Sequence, residues 1–289
     1  MRFIDLLTSG LTLGAIYALV ALGFHLVYKM TGVIDFAQGD KVIIGGLIGL
    51  TLVNQGLSTI MVVALIVLAV GLVLGIAYDA LVILPTQGNG PIAAIAATVG
   101  IMLVFANGGQ LIWGPDGKPF PPVARGAIEL GGVRIGYQDL VIWAVVVTVA
   151  AALALALGRT RTGRGMVAAA TDPLAATAVG INVSRMRAIA FALAFGLSAL
   201  AGVLVAPITL AGGALGTALT LKGFTGAVLG GLGSTRGVLV GAVLLGVIES
   251  ELALMLPNNL VDPIVLIALI FILLVMPNGL FGLRRQRLA

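Results

Sequence analysis

Long runs of apolar residues, separated by short polar and glycine-rich segments, are the dominant pattern of this chain. There are nine such runs, at residues 6–30, 42–56, 57–77, 91–113, 139–158, 186–210, 220–233, 238–256 and 262–276. A helix needs about 20 residues to cross the hydrocarbon core of a bilayer. The pattern therefore predicts an all-α polytopic transmembrane bundle of about nine spans, with roughly eight and ten as the bounds.

Three of these runs are too short to cross the bilayer alone. The runs 42–56, 220–233 and 262–276 hold about 15 residues each, fewer than a straight span needs. Polar, glycine-containing segments lie beside the first two: TGVIDFAQGDK at 31–41 and AGGALGTALTLKG at 211–223. Irregular backbone at membrane depth is tolerated only where it is buried in protein or lines a cavity. We therefore expect broken helices at these two segments, here called the first and second breaks.

The order of long helix, break and short helix occurs twice, starting at 6–30 and again at 186–210. The second long helix is the fifth predicted crossing after the first, and an odd offset inverts the second copy relative to the first. We therefore predict one transmembrane domain over 1–289, with inverted repeat halves at 1–113 and 186–276. Transporters built in this way place their pathway between the halves, near the membrane midplane.

Basic residues predict the orientation, because cytoplasmic loops carry an excess of Lys and Arg. The segment 159–187 and the C-terminal tail contain eight of the 16 Lys and Arg residues: Arg159, Arg161, Arg164, Arg185, Arg187, Arg284, Arg285 and Arg287. Both are therefore predicted to be cytoplasmic. The segment 114–138 then lies outside as a periplasmic loop, and its alternating IEL and VRI motifs predict a small β-hairpin. Counting back through four crossings places the N-terminus outside.

Composition excludes several classes of protein. Of 289 residues, 60% are hydrophobic and 9% are charged, with a mean hydropathy of +1.18, whereas an ordinary globular chain is about 25% charged. A soluble enzyme is therefore ruled out, and lipid is the expected surroundings. The net charge of +5 reports topology in a membrane chain, so we expect no nucleic-acid partner.

Motifs for catalysis are missing from the sequence. There is no HExxH and no GxSxG, there is no Cys, and the single His, His25, is interpreted as a hydrogen-bonded structural residue. No GxxxxGK[ST] phosphate loop occurs either, so the chain cannot hydrolyse ATP by that route. We expect a chain that is not an enzyme and holds no metal or cofactor. Energy for uphill movement must come from a partner or from an ion gradient.

Charged residues inside apolar helices are the candidates for function, because each costs about 2.5–3.5 kcal/mol at a helix centre. Asp35, Gln38 and Asp40 cluster in the first break, and Lys222 stands in the second. They line either a translocation pathway or its gate, or they lie solvated at the headgroup level. Glu249 and its neighbour Glu251 are interpreted as interfacial.

The basic segment 159–187 also predicts a short helix. Asp172 is a good N-cap, Pro173 suits the first helical position, and Gly180 is a typical stop. A short helix rimmed by Arg either docks a cytosolic protein or binds anionic headgroups. The pattern alone leaves both interpretations open.

Five blocks of sequence resemble, in order, the permeases of branched-chain amino-acid ABC importers of the LivH type, and more distantly ribose-type ABC permeases. The blocks are GLTLGAIYALVALGFHLVYKMTGVIDFAQGD at 10–40, GRGMVAAATDPLAATAVGIN at 163–182, FALAFGLSALAGVL at 191–204, LKGFTGAVLGGLGSTRGVLVGAVLLGVIES at 221–250 and MPNGLFG at 276–282. Together they cover nearly the whole chain.

The resemblance implies a multi-pass translocation subunit of the bacterial inner membrane that works by alternating access. Its implied partners are a LivM-like permease, two cytosolic ATPases of the LivG and LivF kind that bind ATP and Mg²⁺, and a periplasmic solute-binding protein. Thr171, Asp172, Pro173, Ala176 and Gly180 would then belong to the coupling helix that contacts an ATPase. A secondary transporter driven by an ion gradient is the alternative.

Two departures from the family pattern leave the solute open. Where the family often has INFAHGE, this chain has IDFAQGD at 34–40, and Thr171-Asp172 replaces a common acidic pair. Relatives of this kind carry urea, short amides and aromatic acids as well as leucine-like amino acids.

Overall fold

Helices account for nearly all of the regular structure. The computed structural model describes residues 2–124, 126–130, 133–212, 215–276 and 279–281. In this part of the chain the helices are α1 Arg2–Thr31, α2 Gln38–Asn54, α3 Ile60–Tyr78, α4 Gly90–Trp113, α5 Tyr137–Arg159, α6 Arg161–Thr171, α7 Pro173–Ala178, α8 Val183–Thr209, α9 Leu215–Gly230, α10 Thr235–Met255 and α11 Asn258–Val275. A π-helical turn at Asp79–Ile83 and a 3-10 turn at Leu84–Thr86 extend α3.

Every predicted apolar run is helical, which confirms an all-α, multi-pass membrane bundle. Within the described residues, six helices are long and apolar enough to span a bilayer: α1, α3 with its extension, α4, α5, α8 and α10. The others that match apolar runs, α2, α9 and α11, are 17, 16 and 18 residues long. The count of nine spans therefore remains a prediction.

The hairpin predicted between the fourth and fifth spans is present. Strands β1 Ala127–Leu130 and β2 Val133–Gly136 pair antiparallel, with Ile128 opposite Ile135. The alternation of apolar and polar residues in IEL and VRI carried this prediction, and it is confirmed.

Close helix contacts at glycines form the centre of the bundle. α1 packs along α10, where a Cβ on Gly14 would lie 2.7 Å from the Cα of Val243. α3 packs along α8, where a Cβ on Gly71 would lie 2.9 Å from the Cα of Gly196. Small residues allow this approach of backbones, which is how helices associate in lipid. α1 and α8 are the most buried of the spans, and α4 and α5 are the least buried.

Both breaks occur, the second over a shorter segment than predicted because α9 begins at Leu215, and they meet inside the bundle. The chain leaves α1 at Thr31 and begins α2 at Gln38, whose side-chain amide donates to the carbonyl of Ala194, near the middle of α8. The first turn of α2 contacts α9, because the backbone N–H of Gly39 donates to Oγ1 of Thr220 at 2.9 Å. The N-terminal ends of the two short helices therefore lie together at the depth of the α8 midpoint.

Candidate functional site

A buried polar cluster fixes the first break. It consists of Asp35, Gln38, Lys41 and Tyr78, and we call it the break cluster. The Lys41 ammonium pairs with Asp35 and donates to Oε1 of Gln38 at 3.1 Å. The Tyr78 hydroxyl donates to Asp35 Oδ1 at 2.9 Å. The side chains of Asp35 and Lys41 have no exposed surface, so the solvated headgroup interpretation does not hold for this cluster.

Aromatic rings complete the surroundings of Lys41. Its Nζ lies 4.1 Å from the ring centroid of Tyr78 and 5.5 Å from that of Phe195, distances at which a cation is attracted to a ring face. The side-chain amide nitrogen of Gln38 is also paired. Its Nε2 donates to the carbonyl oxygen of Ala194 at 3.1 Å and to Oγ of Ser198 at 2.9 Å. The cluster therefore holds α2 against α3 and α8 with its charges compensated.

Asp40, the third predicted residue of the first break, has a different environment. It is 3% exposed and lies in the first turn of α2. Its carboxylate packs against Gly216 at the start of α9, where a Cβ on Gly216 would overlap Oδ1 of Asp40. Its Oδ2 has no hydrogen-bond partner among the described residues. Helix N-termini attract negative charge, so the junction of α2 and α9 suits this carboxylate.

Lys222 lies in a helix and not in irregular backbone as predicted, because α9 already begins at Leu215 and carries Lys222 about two turns further on. The Lys222 ammonium pairs with Glu249 of α10 at 2.5 Å, and it lies 5.9 Å from the ring of Tyr17, midway along α1. Glu249, which we interpreted as interfacial, is therefore a pairing partner inside the bundle. The two side chains keep 17% and 10% of their surface exposed.

A cavity of about 310 Å³ opens beside this pair. Its wall combines one charge with hydroxyls and aliphatic groups: Thr217, Leu221, Lys222, Thr225, Val265 and Leu266. Small-molecule sites commonly have this size and this mixture of apolar wall and few polar groups. Lys222 is thus the predicted pathway residue that the structure places at a cavity.

The short helix α7 is formed as its cap residues predict. Asp172 accepts hydrogen bonds from the N–H groups of Leu174 and Ala175 at 3.0 Å, and Pro173 occupies the first position of α7. The chain turns away at Gly180, with φ of 83°. Ala176 is buried against the body of the protein, whereas the remaining α7 side chains are exposed, Leu174 by 85%. Thr171, the last residue of α6, is exposed as well.

Two features of the basic segment were missed by the sequence analysis. The first is α6, an amphipathic helix that buries Gly163, Met166 and Ala169 and exposes Arg161 and Arg164. The three-residue spacing of the buried positions is the signal that could have found it. As a result, the connection between α5 and α8 is 160–182, shorter than the predicted 159–187, and it holds two helices.

The second is a buried ion pair between Asp79 and Arg187. Arg187 donates from Nε to Asp79 Oδ1 at 2.6 Å and from a terminal amino group to Oδ2 at 3.1 Å. The pair joins the π-helical turn after α3 to the first turns of α8. The sequence analysis treats Arg187 only as a marker of topology. The signal for the pair is that Asp79 and Arg187 carry opposite charges at the ends of two apolar runs.

Ends of five helices surround a cavity of about 540 Å³ beside this pair. Met30 of α1, Thr86 after α3, Gly90 of α4, Pro173 of α7 and Arg187 of α8 all line it. These are the ends that the distribution of basic residues assigns to the cytoplasmic side, and the fold brings them to one place. The break in the chain after α1 and the start of α7 are therefore neighbours.

Comparison with known proteins decides the family. A family model for the permease component of branched-chain amino acid transport systems matches residues 6–275. The chain belongs to this permease family. Because its members are permease components, the chain is a membrane permease rather than an enzyme, as the missing catalytic motifs indicated.

Individual relatives of this permease agree over almost their full length. The high-affinity branched-chain amino acid transport system permease protein LivH of Escherichia coli, like that of Salmonella typhimurium, is 29% identical over 296 residues, covering 98% of this chain and 96% of the relative. The corresponding permease protein BraD of Pseudomonas aeruginosa is 30% identical over 295 residues, covering 97% and 96%. No solved structure matches the chain.

Proposed function

We propose that this permease is one of two membrane subunits of an ATP-driven ABC importer in the bacterial inner membrane. Its solute is a branched-chain or other aliphatic amino acid, delivered by a periplasmic binding protein. A LivM-like permease is the second subunit, and two cytosolic LivG- and LivF-like ATPases bind the ATP and Mg²⁺, so this chain needs no cofactor. Urea, a short amide or an aromatic acid is the second class of solute.

The exposed α7 helix is the observation that carries this proposal. Its sequence, PLAATA, contains no basic residue, so the helix itself has nothing to bind an anionic headgroup. It presents Leu174, 85% exposed, and is followed by Val179, 75% exposed. Two apolar side chains on a capped, outward-facing helix suit a hydrophobic groove on a protein, which favours a docked ATPase.

The proposed mechanism is alternating access by rocking of two inverted halves, 1–113 and 186–276, about the two breaks. Reciprocal packing supports it, because α1 of the first half packs along α10 of the second, and α8 of the second packs along α3 of the first. Movement of α7 reaches α8 through the short connection at 179–182. The segment 160–182 is then cytoplasmic and 114–138 periplasmic, with nine spans in all.

The four candidate pathway residues have different roles in this proposal. Asp35 and Gln38, enclosed in the break cluster, hold the first break in place. Asp40 stands where α2 meets α9 and acts at the gate. Lys222 lines the pathway itself, because it is the one of the four that borders the 310 Å³ cavity.

Transport measurements on the assembled importer test the proposal. Leucine uptake should survive collapse of the proton and sodium gradients and fail when ATP is depleted. The opposite result would identify a secondary transporter instead.

A point variant tests the docking surface separately. Leu174→Glu should abolish uptake and the co-purification of the ATPases, because a charge replaces an apolar contact, while the membrane level of the protein stays unchanged. Leu174→Met keeps the apolar surface and is the matched control. Normal uptake and normal ATPase association in Leu174→Glu would show that α7 is not the docking element.

A further inference from the structure

The pair of Lys222 and Glu249 differs from an ordinary buried salt bridge in what surrounds it. Lys222 lines the cavity between α9 and α11, and both partners retain some exposure. Glu249 uses Oε1 for Lys222, while its Oε2 is buried and has no hydrogen-bond partner among the described residues. A positive and a negative group therefore stand next to each other, with one acceptor oxygen unused.

The rest of the cavity wall is mainly aliphatic. Ala218 and Leu221 of α9 and Val265 and Leu266 of α11 contribute to it, and the hydroxyl residues Thr217 and Thr225 complete it. Tyr17, whose ring lies 5.9 Å from Lys222 Nζ, is midway along α1. The site is thus near the middle depth of the bundle, where transporters with two inverted halves bind their solutes.

We propose that Lys222 and Glu249 form a transient binding site on the translocation pathway for a zwitterionic α-amino acid with an aliphatic side chain. The α-carboxylate of the solute binds the Lys222 ammonium, and its α-ammonium binds the Glu249 carboxylate. The aliphatic side chain occupies the wall formed by Leu221, Val265 and Leu266. This proposal rests on the proposed function and assigns it a contact site and a class of solute.

Charge pairing is the physical reason for the selectivity. Removing one partner of a buried ion pair leaves an uncompensated charge, which is strongly unfavourable. A solute with a single charge that enters between Lys222 and Glu249 leaves one of them in that state. A zwitterion brings both charges, so each protein group exchanges one partner for another. Neutral urea or an amide cannot do this, and an aromatic acid satisfies Lys222 alone.

Direct binding to the purified importer, without its binding protein, tests the selectivity. Saturation-transfer NMR should detect leucine on the wild-type complex, and at least about tenfold weaker signals from 4-methylpentanoate, which lacks the ammonium, and from 3-methylbutylamine, which lacks the carboxylate. Equal signals from all three compounds would overturn the proposal. Because this measurement uses the unaltered protein, it does not depend on the folding of any variant.

A double variant tests the two residues themselves. Lys222→Met/Glu249→Gln removes both charges together, so neither is left unpaired. We expect an assembled complex that still hydrolyses ATP, loses the preference for leucine in the NMR measurement, and takes up leucine at least about tenfold more slowly. Lys118→Met/Glu129→Gln removes the same charges from two exposed positions and should keep the NMR preference.

The outcomes separate this site from the proposed function. Wild-type uptake of amino acids that needs no ATP would contradict the proposed function. ATP-dependent uptake in the wild type, together with wild-type rates in the double variant, would leave that function intact and overturn the zwitterion site.

Discussion

Two lysine–carboxylate pairs in the same bundle differ in how completely they are satisfied. In the break cluster, Lys41 has Asp35, Gln38 and the Tyr78 ring around it, and Asp35 also accepts from Tyr78. Lys222 and Glu249 keep partial exposure, Lys222 borders a cavity, and Oε2 of Glu249 is unpaired within the described residues. The first arrangement has no capacity for another ligand, whereas the second has. Of these two pairs, only the second combines an unpaired oxygen with a neighbouring cavity, which is the arrangement that a ligand requires.

The largest expected effect comes from breaking the complete pair. Asp35→Ala leaves the Lys41 ammonium buried without its counter-ion, and such a loss costs about 3–5 kcal/mol. We expect the membrane level of the protein to fall sharply and the unfolding midpoint in an SDS titration to shift strongly toward lower denaturant. Asp35→Asn/Lys41→Met, which leaves no net charge behind, is the control and should recover much of this loss. If Asp35→Ala is as stable as the double variant, the break cluster is not a structural ion pair.

The third pair, Asp79 with Arg187, tests whether the geometry of an ion pair contributes to stability in addition to its charge. Arg187 makes two hydrogen bonds with the carboxylate, and both side chains are at most 5% exposed. Arg187→Lys keeps the charge and loses the planar fork, so we expect a loss of about 1.5–3 kcal/mol, the worth of one charged hydrogen bond. The SDS unfolding titration measures it. Arg185→Lys, on an exposed neighbouring position, should be neutral, and equal losses in the two variants would contradict the assignment.

A smaller effect is expected at α7, the proposed coupling helix, where the Asp172 cap pairs the N–H groups of the first turn. Asp172→Ala removes the acceptor for the N–H groups of Leu174 and Ala175, and loss of such a cap costs a helix about 0.5–2 kcal/mol. Because α7 is short and exposed, we expect weaker coupling of ATP hydrolysis to uptake with unchanged global stability. Asp172→Asn keeps a good cap and should retain coupling. Unchanged coupling in Asp172→Ala would show that the formed helix is not required.

Features that depend on neighbouring residues could be predicted from the sequence, whereas contacts between residues of different helices could not. The apolar runs, the hairpin and the Asp172 cap depend on residues within one element, and the structure confirms them. The pairs of Lys222 with Glu249 and of Arg187 with Asp79 join residues 27 and 108 positions apart, so helix packing decides them. Asp35 and Lys41 are only six residues apart, but an irregular turn separates them and no helical spacing predicts their contact.

The smallest effect on stability is expected for the pair of Lys222 and Glu249, and it tests directly whether the two lysine–carboxylate pairs differ in role. Lys222→Met/Glu249→Gln removes a pair whose partners are partly exposed, and replacing such a pair by uncharged side chains of similar volume is often neutral. We expect the free energy of unfolding in SDS to stay within about 1 kcal/mol of the wild type. Lys222→Met alone should be less stable than the double variant, because it leaves Glu249 charged and unpaired. If the double variant instead loses as much stability as Asp35→Ala, the two pairs have the same structural role, and the open cavity beside Lys222 does not distinguish them.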